Sequence, residues 1–161
     1  MELPLTNTIL HDPVYAQTME TLRELEQDRI FCRHGMAHCL DVARITMLLC
    51  REHGVGAEPD MVYAAALLHD IGRAAEYTGG IPHEEASIPL ARTILTECHA
   101  PAAVQEQILH LIACHRHARK EDGSLAYLFS LADKRSRCCF ACPAYAECSW
   151  AEERRNLTIT E

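Results

Sequence analysis

No stretch of this 161-residue chain alternates apolar and polar residues over the length of a β-strand, and no tract repeats or falls to low complexity. The first absence argues against a sheet architecture; the second leaves one domain as the economical reading of the length. The longest apolar run, Met61 to Leu68, is far short of the roughly 18 residues a membrane span needs. Met1-Glu2-Leu3-Pro4 has no basic region leading into an apolar stretch, so no secretory leader is expected. Basic charge is scarce too. Fifteen Lys and Arg stand against 23 Asp and Glu, and the net charge of -8 argues against a nucleic-acid surface while leaving room for local basic clusters around a small anion. The expectation is a soluble, cytoplasmic protein with neither membrane nor nucleic-acid partner.

Histidine and cysteine are plentiful, at ten and nine. Without a leader, the cysteines read as reduced thiols or metal ligands and not as a disulfide scaffold.

The apolar pattern is helical throughout. Asp12-Pro13 supplies an N-cap and a first helical residue for a packing helix whose stripe is Tyr15, Met19, Leu22, Leu25 and Ile30. Leu40, Ala43, Met47 and Cys50 recur at helical spacing from about Met36 to His53, and Gly54 and Gly56 end the pattern. Pro59 opens a third helix that delivers Leu67-Leu68-His69-Asp70-Ile71-Gly72-Arg73 at its end. Gly79-Gly80-Ile81-Pro82 marks a loop beside His83, and Pro89 limits where the next helix, with Leu90, Ile94 and Leu95, can begin. Pro101 starts a helix carrying Val104, Ile108, Leu111, Ile112 and His115. Asp122-Gly123 turns into a last helix with Leu125, Leu128, Phe129, Leu131 and Ala132, followed by Asp133. This predicts an all-α bundle of five to seven helices. Three helices each carry a buried-side candidate ligand: His38, the pair His69 and Asp70, and Asp133.

In His38-Cys39-Leu40-Asp41-Val42-Ala43, Leu67-Leu68-His69-Asp70-Ile71-Gly72-Arg73 and Leu131-Ala132-Asp133-Lys134 the chain resembles the HD-domain superfamily of metal-dependent phosphohydrolases. The resemblance implies a compact HD core over residues 1–137 and one metal held by His38, His69, Asp70 and Asp133. Members with two further histidines hold a second metal. His83 and His115 fall where that pair is expected, with Asp70 bridging. His110 competes with His115 but lies about 140° away around the helix, off the stripe of Ile108 and Ile112. His34 competes with His38 from the same helical face and could instead orient a ligand. His11, His53, His99 and His117 have no partners in the pattern.

Imidazole and carboxylate ligands suit iron, manganese, zinc, nickel or cobalt. Two such ions would activate a water for attack on a phosphate ester. Arg73 and Lys134 are the cations placed to neutralise phosphate oxygens and contact substrate, and Arg116 and Arg137 are further candidates. The expected activity is hydrolysis of a nucleotide or other small phosphate ester, with dinucleoside polyphosphates or cyclic nucleotides as a narrower option. Two other classes share the pattern: a di-iron HD-type oxygenase using dioxygen, and a non-catalytic nucleotide-binding module.

Residues 138–161 depart from a minimal HD domain. Cys138, Cys139, Cys142 and Cys148 include one CxxC spacing and lack a second, which leaves a zinc or iron-sulfur site, a redox or disulfide cluster, or reduced structural thiols. Trp150 and Tyr145 predict that this tail packs on the core.

Overall fold

Two helix starts, those of the second and fourth helices, fall where the chain supplies an acceptor and a proline. In the computed structural model, which describes residues 2–120 and 124–159, the Asp12 carboxylate accepts from the Tyr15 amide (2.9 Å) and Glu58 from the Met61 amide (2.7 Å), with Pro13 and Pro59 at the first helical positions. The helices are α1 (Pro4–Leu10), α2 (Pro13–Leu25), α3 (Met36–Glu52), α4 (Pro59–Leu68), α5 (Arg73–Gly79), α6 (His83–Glu97), α7 (Ala102–Cys114) and α8 (Ser124–Arg135). Among the described residues every regular element is helical, and no helix is long and apolar enough to cross a membrane. The all-α reading holds. Two of the eight, α1 and α5, are seven-residue helices that the apolar pattern does not separate.

The core is built on α4, which buries Met61, Val62, Ala64, Ala65, Ala66, Leu67 and Leu68 and so is apolar nearly all round. Its three alanines let α1, α3 and α7 approach closely, while α8 packs against α3 and α7, and α6 against α7. Phe129, Leu68, Ile94, Leu95, Ile108 and Ile112 fill the centre at under 2% exposure. Each such side chain contributes about 1.5–3 kcal/mol relative to remaining exposed.

Several local expectations are corrected. On α2 the buried stripe is Tyr15 and Leu22, while Leu25 and Ile30 are exposed, because the helix ends at Leu25 and the chain turns away. On α3 the deepest face is Cys39, Val42, Ala43, Thr46, Leu49 and Cys50, with Leu40 and Met47 half-buried. Pro89 lies inside α6 and does not delay its start. It sits on the exposed face, so the Glu85 carbonyl that loses its helical partner is on the solvent side, and burial of Ile94 and Leu95 outweighs the cost. Helix α1 owes its start to a distant group. The Asp60 carboxylate accepts from the amides of Leu5 and Thr6, both at 2.8 Å, and from the Thr6 hydroxyl at 2.7 Å. The Asp122-Gly123 turn lies outside the described residues.

Past α8 the chain returns over the end of the bundle. Asn156 donates to the Lys134 and Arg137 carbonyls, both at 2.8 Å, satisfying acceptors at the α8 terminus. Arg155 donates to the carbonyls of Trp150, Tyr145 and Cys148 (2.8, 3.2 and 2.8 Å) and lies over the Tyr145 ring. All nine cysteines are free thiols, and among the described residues no cysteine joins a group of three metal-type donors. An arginine and an asparagine supply hydrogen bonds that hold this tail.

Candidate metal centre

The six candidate ligands come mostly from helix ends, where the backbone leaves acceptors unsatisfied. His69 and His115 each follow the last residue of a buried helix, and each turns its ring back on that helix. The Nδ1 of His69 donates to the Ala66 carbonyl (2.8 Å) and that of His115 to the Ile112 carbonyl (2.7 Å). His83 is the first residue of α6, and its Nδ1 donates to Glu76 (3.0 Å). His38, in the first turn of α3, meets the Ser136 hydroxyl through Nδ1 at 3.1 Å. That hydroxyl donates to the Asp133 carbonyl (2.7 Å), so it accepts from the imidazole.

Every one of the four rings therefore spends its Nδ1 proton outward and points its Nε2 inward. The Nε2 atoms of His38 and His69 are 3.3 Å apart and those of His83 and His115 are 3.0 Å apart. Between the pairs stands Asp70. Its Oδ2 lies 3.3 Å from His38 and 3.1 Å from His69, and its Oδ1 lies 3.2 Å from His83 and 3.8 Å from His115. Asp133 Oδ1 closes the first group at 3.4 Å from His38 and 3.9 Å from His69. The result is two convergent donor sets, His38, His69, Asp70 and Asp133, and Asp70, His83 and His115.

Two carboxylates and four inward-facing imidazole nitrogens converge here, and Asp70 Oδ2 is buried with no hydrogen-bond partner. Such a set fits cations and is poorly served by anything else on the chain. The third possible group, Glu76, His83 and Glu84, uses the outward Nδ1 of His83 and is already bridged by Arg73 and Arg116. It is a hydrogen-bonded rim.

The electrostatics differ between the two sets. Burial opposes charge on His38, but Asp133 and Asp70 outweigh it and raise its pKa to about 9. Burial and the neighbouring His69 ring push His115 down to about 4, and burial lowers His83. Asp70 and Asp133 are held well below the usual carboxylate range despite burial, Asp70 by His69 and His38, Asp133 by His38, His69 and Arg137.

A single polar clamp shapes the His69-Asp70 turn. Ser87 accepts from the Gly72 amide (2.8 Å) and donates to the His69 carbonyl (3.0 Å). Gly72 must be glycine for space, not for dihedral freedom. A Cβ there would sit 2.5 Å from the Ser87 amide nitrogen and closer still to the His83 carbonyl.

Of the expected cations, Arg73 binds Asp70 Oδ1 through Nε (3.0 Å) and Glu76 through a terminal nitrogen (3.0 Å). Lys134 directs its ammonium to the Ser130 hydroxyl and carbonyl (2.8 and 3.1 Å) and the His115 carbonyl (3.3 Å), and burial lowers its pKa. Arg116 is exposed and pairs with Glu84 (3.1 Å). His110 lies on the exposed side of α7, and His11, His53, His99 and His117 are exposed as well.

His34 is outside both donor sets. Its ring meets His38 edge-on at 5.6 Å and is anchored by Glu26, which also accepts from the His34 amide (2.8 Å) and the Tyr77 hydroxyl (2.6 Å). These bonds overcome burial and bring Glu26 down to about 2. The α2 segment is therefore more than packing. Glu26, Glu76, Ser87 and Ser136 carry no signal in the sequence because each serves a partner that only the fold brings near.

The family model of the HD domain matches residues 35–138, and the chain belongs to that family, a superfamily of metal-dependent phosphohydrolases. It is 37% identical over 153 residues to an uncharacterized protein of Clostridium beijerinckii, covering 95% of this chain and 96% of the relative, so the alignment takes in most of the tail. It is also 25% identical over 123 residues to Ribonuclease Y of Oleidesulfovibrio alaskensis, which is 76% of this chain and 22% of that protein. No solved structure gives a significant match.

Proposed function

We propose that the chain hydrolyses a nucleotide or another small phosphate ester at a centre of two divalent transition metals. The observation that carries this reading is the placement of Asp70, whose two carboxylate oxygens each face a separate imidazole pair. His38, His69, Asp70 and Asp133 would hold one ion, and Asp70, His83 and His115 the other. When bound, such a pair supplies Lewis acidity toward phosphoryl oxygens and activates water.

The protein's part is orientation and charge. Outward Nδ1 hydrogen bonds fix all four imidazoles in the tautomer that offers Nε2, and Ser87 fixes the turn that aims Asp70. Arg73 sets a positive charge beside Asp70, where phosphate oxygens would gather. Lys134 acts from farther back. Its donors already engage protein oxygens, so it contributes field and not a direct hydrogen bond.

The test is metal content on protein purified anaerobically without chelator, comparing wild type with His83→Ala and His115→Ala, with phosphate release from a panel of nucleotides and small esters. About two ions per chain, falling toward one in each variant together with phosphate release, is the expected result. One ion per chain, unchanged in both variants, overturns the binuclear assignment. Two iron ions with oxygen consumption and no phosphate release overturns the hydrolase in favour of the oxygenase.

A further inference from the structure

A cleft of about 950 Å³ opens on the His38 side of the donor cluster. That is the upper end of the roughly 300–1,000 Å³ typical of small-molecule sites and far more than a bare phosphate needs. One wall is the loop between α2 and α3, with Arg29 and Phe31. The other is the tail, with Tyr145 and Trp150, and His38, Ser136 and Arg137 lie on the lining between them.

Arg137 is the residue to explain. Its side chain is 9% exposed, one terminal nitrogen is 3.3 Å from Asp133 Oδ1, and its guanidinium lies 5.1 Å over the Trp150 ring. Its Nε is buried without a hydrogen-bond partner. A buried guanidinium that lines a cleft with a donor to spare, one carboxylate away from His38, is suited to an anion arriving at the metal centre. Around it, Arg29 lies over Phe31 (5.7 Å) and Arg155 over Tyr145 (4.5 Å), so planar cationic and aromatic groups alternate along the walls. Such surfaces stack well on a planar aromatic ligand.

We infer that this cleft is the substrate-recognition site, that Arg137 binds the substrate phosphate, and that the tail and the α2–α3 loop grip an aromatic, nucleobase-sized group on the same molecule. The inference rests on the phosphohydrolase reading for the identity of the reacting group. It assigns specificity to residues largely outside the stretch matched by the family model.

Trp150 is the chain's single tryptophan, so intrinsic fluorescence reports on the cleft directly. The metal-loaded full chain is titrated with the methylene phosphonate analogue of AMP, which cannot turn over, and separately with inorganic phosphate. The analogue should change Trp150 emission saturably and bind about tenfold or more tighter than phosphate. Arg137→Gln should weaken both ligands by about 30-fold, with Arg137→Lys recovering part of the loss. Phe31→Ala, at a partly exposed loop position that the fold tolerates, should weaken the analogue by about tenfold and leave phosphate unchanged. Metal content is measured on each variant, and if Arg137→Gln fails to fold or to load, the Phe31→Ala comparison decides.

An analogue that binds no tighter than phosphate, or binding unmoved by either substitution, overturns the inference. Phosphate release separates the two readings. Wild-type turnover with binding indifferent to Arg137 and Phe31 removes the cleft and keeps the hydrolase, whereas Arg137-dependent binding without turnover of any ester keeps the cleft and removes the hydrolase.

Discussion

The two halves of the centre share Asp70 and little else. The half formed by His38, His69 and Asp133 has two carboxylates, borders the cleft, and carries its neighbouring positive charge on Arg137. The half formed by His83 and His115 has Asp70 as the only carboxylate in its donor set, both imidazoles are 1% exposed, and Arg73 donates to the shared Asp70. In the first half carboxylates dominate, so His38 favours a positive charge. In the second, desolvation dominates, so His83 and His115 favour neutrality. One set of residue types thus makes two electrostatically distinct pockets, and the first should hold a dication more firmly than the second.

The comparison breaks most completely at its hinge. Asp70→Ala removes the shared ligand, and elemental analysis should find both ions lost and phosphate release reduced to background; retention of about two ions would show that Asp70 does not bridge.

A difference between the halves is exposed by their outward hydrogen bonds. Glu76→Gln weakens the orientation of His83 and should lower affinity for one ion by about 10–100-fold in a chelator titration, leaving the other ion unchanged. Ser136→Ala, acting on His38, should show the reverse pattern. A uniform loss of both ions in either variant contradicts independent halves.

Smaller effects test the supports. Gly72→Ala forces a Cβ into α6 and should cost about 1–3 kcal/mol in denaturant unfolding, with displacement of the His69-Asp70 turn. An unchanged midpoint would mean that α6 yields without cost.

Glu26 sharpens the His38 side. Its folded pKa is depressed to about 2, so the stability it contributes is fully present above its ordinary value of 4.5 and is lost as pH falls from there toward 2. Glu26→Gln should therefore cost roughly 2 kcal/mol at pH 7, with the gap to wild type closing across that acid window. A gap that is independent of pH would assign the loss to packing.

What the sequence alone determined here is local chemistry and periodicity. Helices α2, α4 and α7 begin at Asp12-Pro13, Glu58-Pro59 and Pro101 because caps and prolines act within a few residues. His38, the His69-Asp70 pair and Asp133 could be singled out by residue type and helical position, and His83 and His115 through the resemblance to HD domains that those stretches carry. That they meet within hydrogen-bonding distances was the work of the fold.

Tertiary structure also decided everything that depends on a distant partner. Asp60 caps α1, burial of the α6 face carries that helix through Pro89, Ser136 orients a histidine 98 residues earlier, and Arg155 and Asn156 hold a tail whose cysteines had drawn attention. Each depends on partners far apart in the chain, with individual hydrogen bonds of about 1 kcal/mol that dictate no local conformation, and is therefore silent in the sequence. They become specific only after burial of the apolar faces has brought their partners within reach.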